Sequence, residues 1–196
     1  KLPAESGMTP TVWKDKIVIA DIDGTVNIID PSSRSVITKI KTSAVQTIAL
    51  DIAIFGDTGF FANRKGSVAS VDLKNGKLNW EYQISDTKVN IFSDLCYGGG
   101  NLFIYSGSKI FALDMLKGTE VFAPVSASAA PGTSNGRLYY GTAGGNLIEA
   151  DAETGRILNT VNLRYGNITT QPVFAENRII AGTSTGKIIV LNPAGF

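Results

Sequence analysis

The chain repeats itself. Asp30, Asp72, Asp114, Asp151 and Asn192 form one column, separated by steps of 42, 42, 37 and 41 residues. Six residues ahead of each stands Gly24, Gly66, Ser108, Gly145 or Gly186. Four residues behind stands Arg34, Gly76, Gly118 or Gly155, with Gly195 one place early in the last copy. Twenty residues ahead lie Pro10, Ile52, Asp94, Pro131 and Pro172. Self-similarity at a period of about 40 residues is the mark of stacked copies of one supersecondary unit, each burying a face that it cannot bury alone.

Each copy carries the same grammar. An apolar run opens it, as in Ile17–Ala20, Leu102–Tyr105 or Ile179–Gly182. A glycine-bearing turn follows, then a second apolar strand such as Gly66–Asp72 or Gly186–Asn192. The column Asp opens another turn closed by Gly, as in Asp72-Leu73-Lys74-Asn75-Gly76, where its carboxylate accepts backbone N–H groups two residues on. A third strand leaves, as in Lys77–Tyr82, and a run of small or polar residues such as Ser126–Ala130 supplies a fourth upstream. Small side chains there suit strands that converge on an axis, and proline belongs at such a strand's start or at a bulge. Four short strands per repeat, with little room for helix, predict an all-β chain: a β-propeller of about five four-stranded antiparallel blades. One domain over 1–196 is expected, with repeats near 7–41, 49–83, 91–125, 128–162 and 169–196, and 1–3 as a possible closing strand. Two arrangements satisfy that count: a closed five-bladed ring, or an arc of a seven- or eight-bladed propeller. Exposed sheet edges of an arc favour closure or pairing with a second copy as a homodimer.

Composition removes several chemistries. Among 196 residues there is no His and one Cys, so the commonest general base, the commonest zinc ligand and any internal disulfide are absent together. A formal charge of +1 gives no basic stripe for nucleic acid. No run approaches the length of a membrane helix. Cys96, inside Leu95-Cys96-Tyr97, reads as a buried structural thiol.

Ile110-Phe111-Ala112-Leu113-Asp114, Ala150-Asp151-Ala152-Glu153-Thr154-Gly155-Arg156, Ser184-Thr185-Gly186-Lys187 and Val71–Trp80 together resemble the PQQ-like (pyrroloquinoline quinone) repeat, a WD40-like blade architecture, over nearly the whole chain. The tryptophan column of that family reads Thr38, Trp80, Phe122 and Asn159 here, so the girdle of the quinoprotein dehydrogenases is mostly missing. The adjacent cysteines many of them carry are missing as well. Nearest in kind is the non-enzymatic propeller lipoprotein of the bacterial outer-membrane β-barrel assembly machinery. That resemblance implies a non-catalytic protein-binding scaffold on the periplasmic or extracellular side of a bacterial envelope, with a cell-envelope or outer-membrane assembly component as partner and no cofactor. Lys1-Leu2-Pro3-Ala4-Glu5 lacks the apolar core of a signal peptide, which leaves open a leader or lipid anchor already removed.

Competing readings attach to particular residues. Asp51 and Asp94 fall in innermost-strand positions and are the candidates for a carboxylate hydrolase at the axis, which needs one acid and one base about 5–9 Å apart. A ligand-sensing module, or a relic of a quinoprotein dehydrogenase, are further alternatives. Asp21-Ile22-Asp23-Gly24, with Asn27 near, has paired carboxylates that suit calcium. The same columns hold Asn63/Lys65, Tyr105/Gly107, Thr142/Gly144 and Thr183/Thr185 elsewhere, so a plain hairpin turn is expected and no metal is assigned. Gly98–Gly100 and Gly144-Gly145 sit at hairpins without the Lys-Ser/Thr of a phosphate loop. Asn167-Ile168-Thr169 fits a glycosylation sequon, relevant only to a eukaryotic secretory protein.

Overall fold

The computed structural model describes residues 9–42, 52–85 and 95–192. They form nineteen strands and no helix. The strands group into five consecutive antiparallel sheets, and in each the order in space follows the order in sequence. This is the blade architecture of a β-propeller. Two compact units divide the chain, 1–95 with 116–119, and 96–115 with 120–196.

The first unit holds two blades. Blade 1 comprises β1 (Thr11–Trp13), β2 (Lys16–Ala20), β3 (Thr25–Asp30) and β4 (Ser35–Lys41); blade 2 comprises β5 (Ala53–Phe55), β6 (Thr58–Ala62), β7 (Ser67–Asp72) and β8 (Lys77–Gln83). Strand alternation sends Val18, Ala20, Val26 and Ile28 of blade 1 into one core with Phe61, Ala69 and Val71 of blade 2. Blade 2 turns Phe60 and Trp80 to its other face, with ring centroids 6.0 Å apart.

The second unit holds three. Blade 3 comprises β9 (Cys96–Gly98), β10 (Asn101–Ser106), β11 (Lys109–Asp114) and β12 (Glu120–Ser126). Blade 4 comprises β13 (Gly132–Ser134), β14 (Arg137–Gly141), β15 (Asn146–Asp151) and β16 (Ile157–Asn162). Blade 5 comprises β17 (Val173–Ala175), β18 (Arg178–Gly182) and β19 (Ile188–Leu191), three strands among the described residues. Blade 4 buries both faces: Leu138, Tyr140, Ile148 and Ala150 against blade 3, Tyr139 and Leu147 against Ile179, Ala181 and Ile189 of blade 5. Central strands with two buried faces read as continuous apolar runs, which is why the sequence shows runs there instead of alternation.

The innermost strands are only three residues long. Pro10, Pro131 and Pro172 each stand immediately before one of them, where a missing N–H costs no ladder bond. The run Ser126–Ala130 is not an innermost strand: Ser126 ends β12, and the rest is the connection to β13. Its small residues let that connection pack, with Ala127, Ala129 and Ala130 buried.

The column Asp behaves as turn chemistry requires. Asp72 Oδ1 accepts the N–H groups of Lys74 and Asn75 at 3.0 and 2.9 Å, and Asp151 Oδ1 those of Glu153 and Thr154 at 3.2 and 2.9 Å. These bonds hold both carboxyls below the usual carboxylate range, led by the Asn75 backbone N–H at Asp72 and by the Thr154 hydroxyl at Asp151. The fourth residue after the Asp is left-handed throughout: φ is 55° at Arg34, 66° at Gly76, 69° at Gly118 and 72° at Gly155.

Glycine has a second cause in that column. A Cβ on Gly76 would meet Thr38 Cγ2 at 2.6 Å, one on Gly118 would meet Trp80 Cε3 at 2.6 Å, and one on Gly155 would meet Phe122 Cδ1 at 2.7 Å. Each glycine is the floor on which the outermost strand of the preceding blade sets a side chain: Thr38, Trp80 and Phe122 in turn. A β-bulge aims that residue. Ile28 pairs with Thr38 but Ile29 with Val36, leaving Ile37 unmatched; Ser70 pairs with Trp80 but Val71 with Leu78, leaving Asn79 unmatched. The same shift recurs beside Phe122 and beside Asn159. The extra residue twists the strand locally and redirects the next side chain toward the neighbouring blade.

Candidate interaction surfaces

Blade 5 presents the apolar surface with the clearest architecture. Register places Val173 opposite Ile180 and Ile180 opposite Val190, so one face carries an apolar stripe across all three strands, with Ile188 beside it. The opposite face, carrying Ile179, Ala181 and Ile189, is the one packed on blade 4. Val173, Ile188 and Val190 are 55%, 77% and 52% exposed. Blade 4 shows what such a face does elsewhere in this unit, since the equivalent side of its sheet is covered by blade 5. Among the described residues no strand pairs with the outer side of β19. An apolar sheet face next to a strand edge offers two recognition modes at once, packing and strand addition.

A separate cleft of about 200 Å³ opens between the β13–β14 and β17–β18 hairpins. Both hairpins are two-residue turns, and Asn135, Gly136, Glu176 and Asn177 all take left-handed φ. The inner wall is aromatic, with Tyr139 and Phe174 ring centroids 5.2 Å apart. Tyr139 donates its hydroxyl to Glu149 Oε1 at 3.1 Å, and Arg137 Nε lies 3.5 Å from the same oxygen. Burial and then the Glu149 charge push the Tyr139 phenol up to about 12, so it stays a neutral donor. Arg178 and Glu176 stand at the mouth.

The residues singled out from sequence distribute as follows. Asp51 and Asp94 lie outside the described residues, as do Lys1–Pro3. Asp21 and Asp23 flank the β2–β3 turn: Asp23 is exposed and caps the turn through Oδ1 to Thr25 N at 3.1 Å, whereas Asp21 is fully buried. Cys96 is half-buried on β9, and burial pushes its thiol up to about 12, which fits a structural thiol. Gly99 and Gly100 form the β9–β10 turn and Gly145 the β14–β15 turn, both hairpins. Asn167 donates its backbone N–H to Ser184 Oγ at 3.1 Å, tying the sequon to the β18–β19 turn. Among the described residues no three His, Cys, Asp or Glu side chains gather as a metal cluster, and no helix is long and apolar enough to cross a membrane. Neither the stripe nor the cleft was singled out from sequence. Val173, Ile188 and Val190 read there as ordinary strand residues, because exposure depends on what covers a sheet and not on its own pattern.

The chain is similar to known propeller proteins in sequence and in fold. The sequence profile of the outer membrane protein assembly factor BamB family matches residues 1–129 and again residues 105–195. The outer membrane protein assembly factor BamB of Shewanella oneidensis is 24% identical over 143 residues, covering 70% of this chain and 35% of that protein. The crystal structure of BamB from Moraxella catarrhalis superposes with a TM-score of 0.76 at 18% identity, over 99% of this chain and 60% of that one. The β-propeller domain of Cps50 (Swd1) from Myceliophteria thermophila superposes with a TM-score of 0.68 at 18% identity, over 97% of this chain and 65% of that one. The chain thus spans about a third of the curated relative that it matches and 60% of the Moraxella structure.

Proposed function

Because the chain belongs to the outer membrane protein assembly factor BamB family, whose profile covers it almost end to end, we propose that it is a non-catalytic interaction scaffold of a bacterial cell envelope. Its place is the periplasmic or outer face of that envelope. Its partner is a protein component of outer-membrane assembly. The observation that carries this reading is the double match of the family profile, over residues 1–129 and 105–195, which together take in all five blades. The architecture supports it physically. Within the second unit, blade 4 is packed on both faces and blade 5 is seated on it, and such packing lowers the entropic cost of presenting a fixed surface. The exposed Val173, Ile188 and Val190, with half-buried Ile180 between them, then supply apolar area, and the edge of β19 supplies backbone donors and acceptors.

The test is binding of the purified chain to a detergent-solubilised outer-membrane assembly complex, measured by interferometry against a cytoplasmic protein of similar size. Saturable binding to the complex alone is expected, with Ile188→Lys and Val190→Lys weakening it at least about tenfold, as loss of a buried apolar anchor does. Equal signals on both surfaces would remove the scaffold reading. Binding that both lysine variants retain would keep the function and move the contact away from blade 5.

A further inference from the structure

The β2–β3 turn of blade 1 copies a backbone found in three other blades but uses its leading side chain differently. Asp21, Asn63, Thr142 and Thr183 each donate N–H to the carbonyl four residues on, at 2.9 Å in every case. Each also accepts, on its own carbonyl, the N–H of the turn glycine at 3.0–3.1 Å. In blade 2 the side chain completes the turn, since Asn63 Oδ1 accepts from Lys65 N at 2.9 Å and from Ser67 N at 3.0 Å. Thr183 Oγ1 accepts from Lys187 N at 3.3 Å in blade 5. In blade 1 that task falls to Asp23. Asp21 is therefore not needed as a turn cap, yet it is fully buried, and among the described residues neither carboxylate oxygen has a hydrogen-bond partner.

A second buried acceptor shares its face. Asn27 on β3 is also fully buried; its Nδ2 donates to the Thr25 carbonyl at 3.2 Å, which leaves Oδ1 without a partner. Ile19 pairs with Asn27 and Asp21 bonds to Thr25, so Asp21 and Asn27 lie on one side of the sheet. That side is opposite to the Val18, Ala20, Val26 and Ile28 core. Diagonal neighbours of this kind are about 7–8 Å apart, a span that an aspartate and an asparagine can bridge through one shared ion. Among the described residues no Lys or Arg forms an ion pair with Asp21, and Lys16 on the same strand is engaged by Asp15 and Asp30.

Three oxygen acceptors, one formal negative charge and no donor make a set that water satisfies only in part. A water molecule can donate to the oxygens but leaves the charge uncompensated, and an unpaired buried carboxylate is among the costliest arrangements a fold can hold. Hard cations take this donor type, carboxylate and amide oxygens without nitrogen or sulfur. We propose that Asp21 and Asn27 hold a calcium-type divalent cation, with the remaining positions filled by water or backbone carbonyls. With a single carboxylate, the affinity belongs to the weak class of extracellular calcium modules, roughly 0.1–1 mM.

The experiment uses the full chain stripped with a chelator. Thermal unfolding is followed while CaCl2 is raised to about 10 mM, well above that affinity range, at ionic strength held constant with KCl. A saturable rise in Tm is expected for the wild type, with a smaller response to Mg2+. Asp21→Asn abolishes the response and Asp23→Asn keeps it, because Asp23 is an exposed cap. Flow dialysis of radioactive calcium on the wild type is a second readout that does not depend on any variant folding, and one bound ion per chain is expected. A Tm indifferent to calcium, no bound ion, or equal loss in Asp21→Asn and Asp23→Asn overturns the proposal.

Discussion

Replacing Gly118 with alanine tests whether the glycine after each column Asp answers to its turn or to the neighbouring blade. The turn alone, at φ 69°, charges an L-residue about 1–2 kcal/mol for left-handed backbone. The neighbour adds a separate cost. A Cβ at Gly118 would stand 2.6 Å from Trp80 Cε3 and 2.7 Å from Cγ, and those are the rigid body of an indole, not the tip of a flexible chain. Trp80 is itself buried and also packs against Phe60, so moving it away from Gly118 disturbs a second contact. Overpacking of this sort costs about 1–3 kcal/mol. Gly118→Ala should therefore destabilise by about 2–5 kcal/mol, the sum of the two terms. Gly56 is the internal control: it has φ 61° in the same unit with nothing within 4 Å of its Cβ position, so Gly56→Ala should show only the backbone cost. Urea unfolding by circular dichroism gives both values. A double-mutant cycle with Trp80→Ala then isolates the packing, since Gly118→Ala in that background should cost no more than Gly56→Ala. Equal costs for the two alanine variants, or an unchanged cost after Trp80 is removed, would refute the idea that the column is kept by the neighbouring blade.

Three further outcomes follow from the turns and the thiol. Asn63→Ala removes an acceptor for two backbone N–H groups at a buried position and should cost about 1–3 kcal/mol by urea unfolding, with no loss denying its capping role. The carboxyls of Asp72 and Asp151 are depressed in the folded chain, so their stabilisation is present above the unfolded value near 4 and is lost as pH falls through the folded value. Urea midpoints should therefore drop below about pH 4 in the wild type and drop less in Asp72→Asn and Asp151→Asn; parallel acid limbs would contradict the assignment. Cys96, with its thiol pushed up to about 12, should react slowly with a disulfide reagent at pH 8 in the folded chain and promptly in urea, and fast stoichiometric labelling of the folded chain would count against it.

What could be read from the sequence was whatever a single repeat determines by itself. The Asp turn is spelled within five residues, Asp72 to Gly76, and the bonds it makes are those its chemistry dictates. Prolines at the mouths of the innermost strands follow from one missing donor. The glycine column and the tryptophan column were both visible, but as separate facts. Gly118 sits 38 residues after Trp80, Gly76 sits 38 after Thr38 and Gly155 sits 33 after Phe122, a pairing that acquires meaning only once blades stack. The bulge that aims Trp80 was not legible at all, since an extra residue in a strand leaves no local trace until its partner's register is known.

The same distinction separates Arg34 and Asp21 from their columns. Arg34 holds the left-handed turn at φ 55° although it carries a side chain, so the turn backbone admits a Cβ, and at Gly76, Gly118 and Gly155 a close neighbouring side chain is a second reason for glycine. Asp21 holds the hairpin backbone shared with Asn63, Thr142 and Thr183, yet its carboxylate contributes nothing to the turn. From the column alone Asp21 reads as one more polar turn residue, because any short acceptor can start that hairpin. Only the burial of both oxygens without a partner separates it from Asn63, whose single acceptor is fully used. In a chain built by repetition, the side chains that the repeat leaves unexplained are the ones that answer to something outside it, and a buried charge is the least expendable of these.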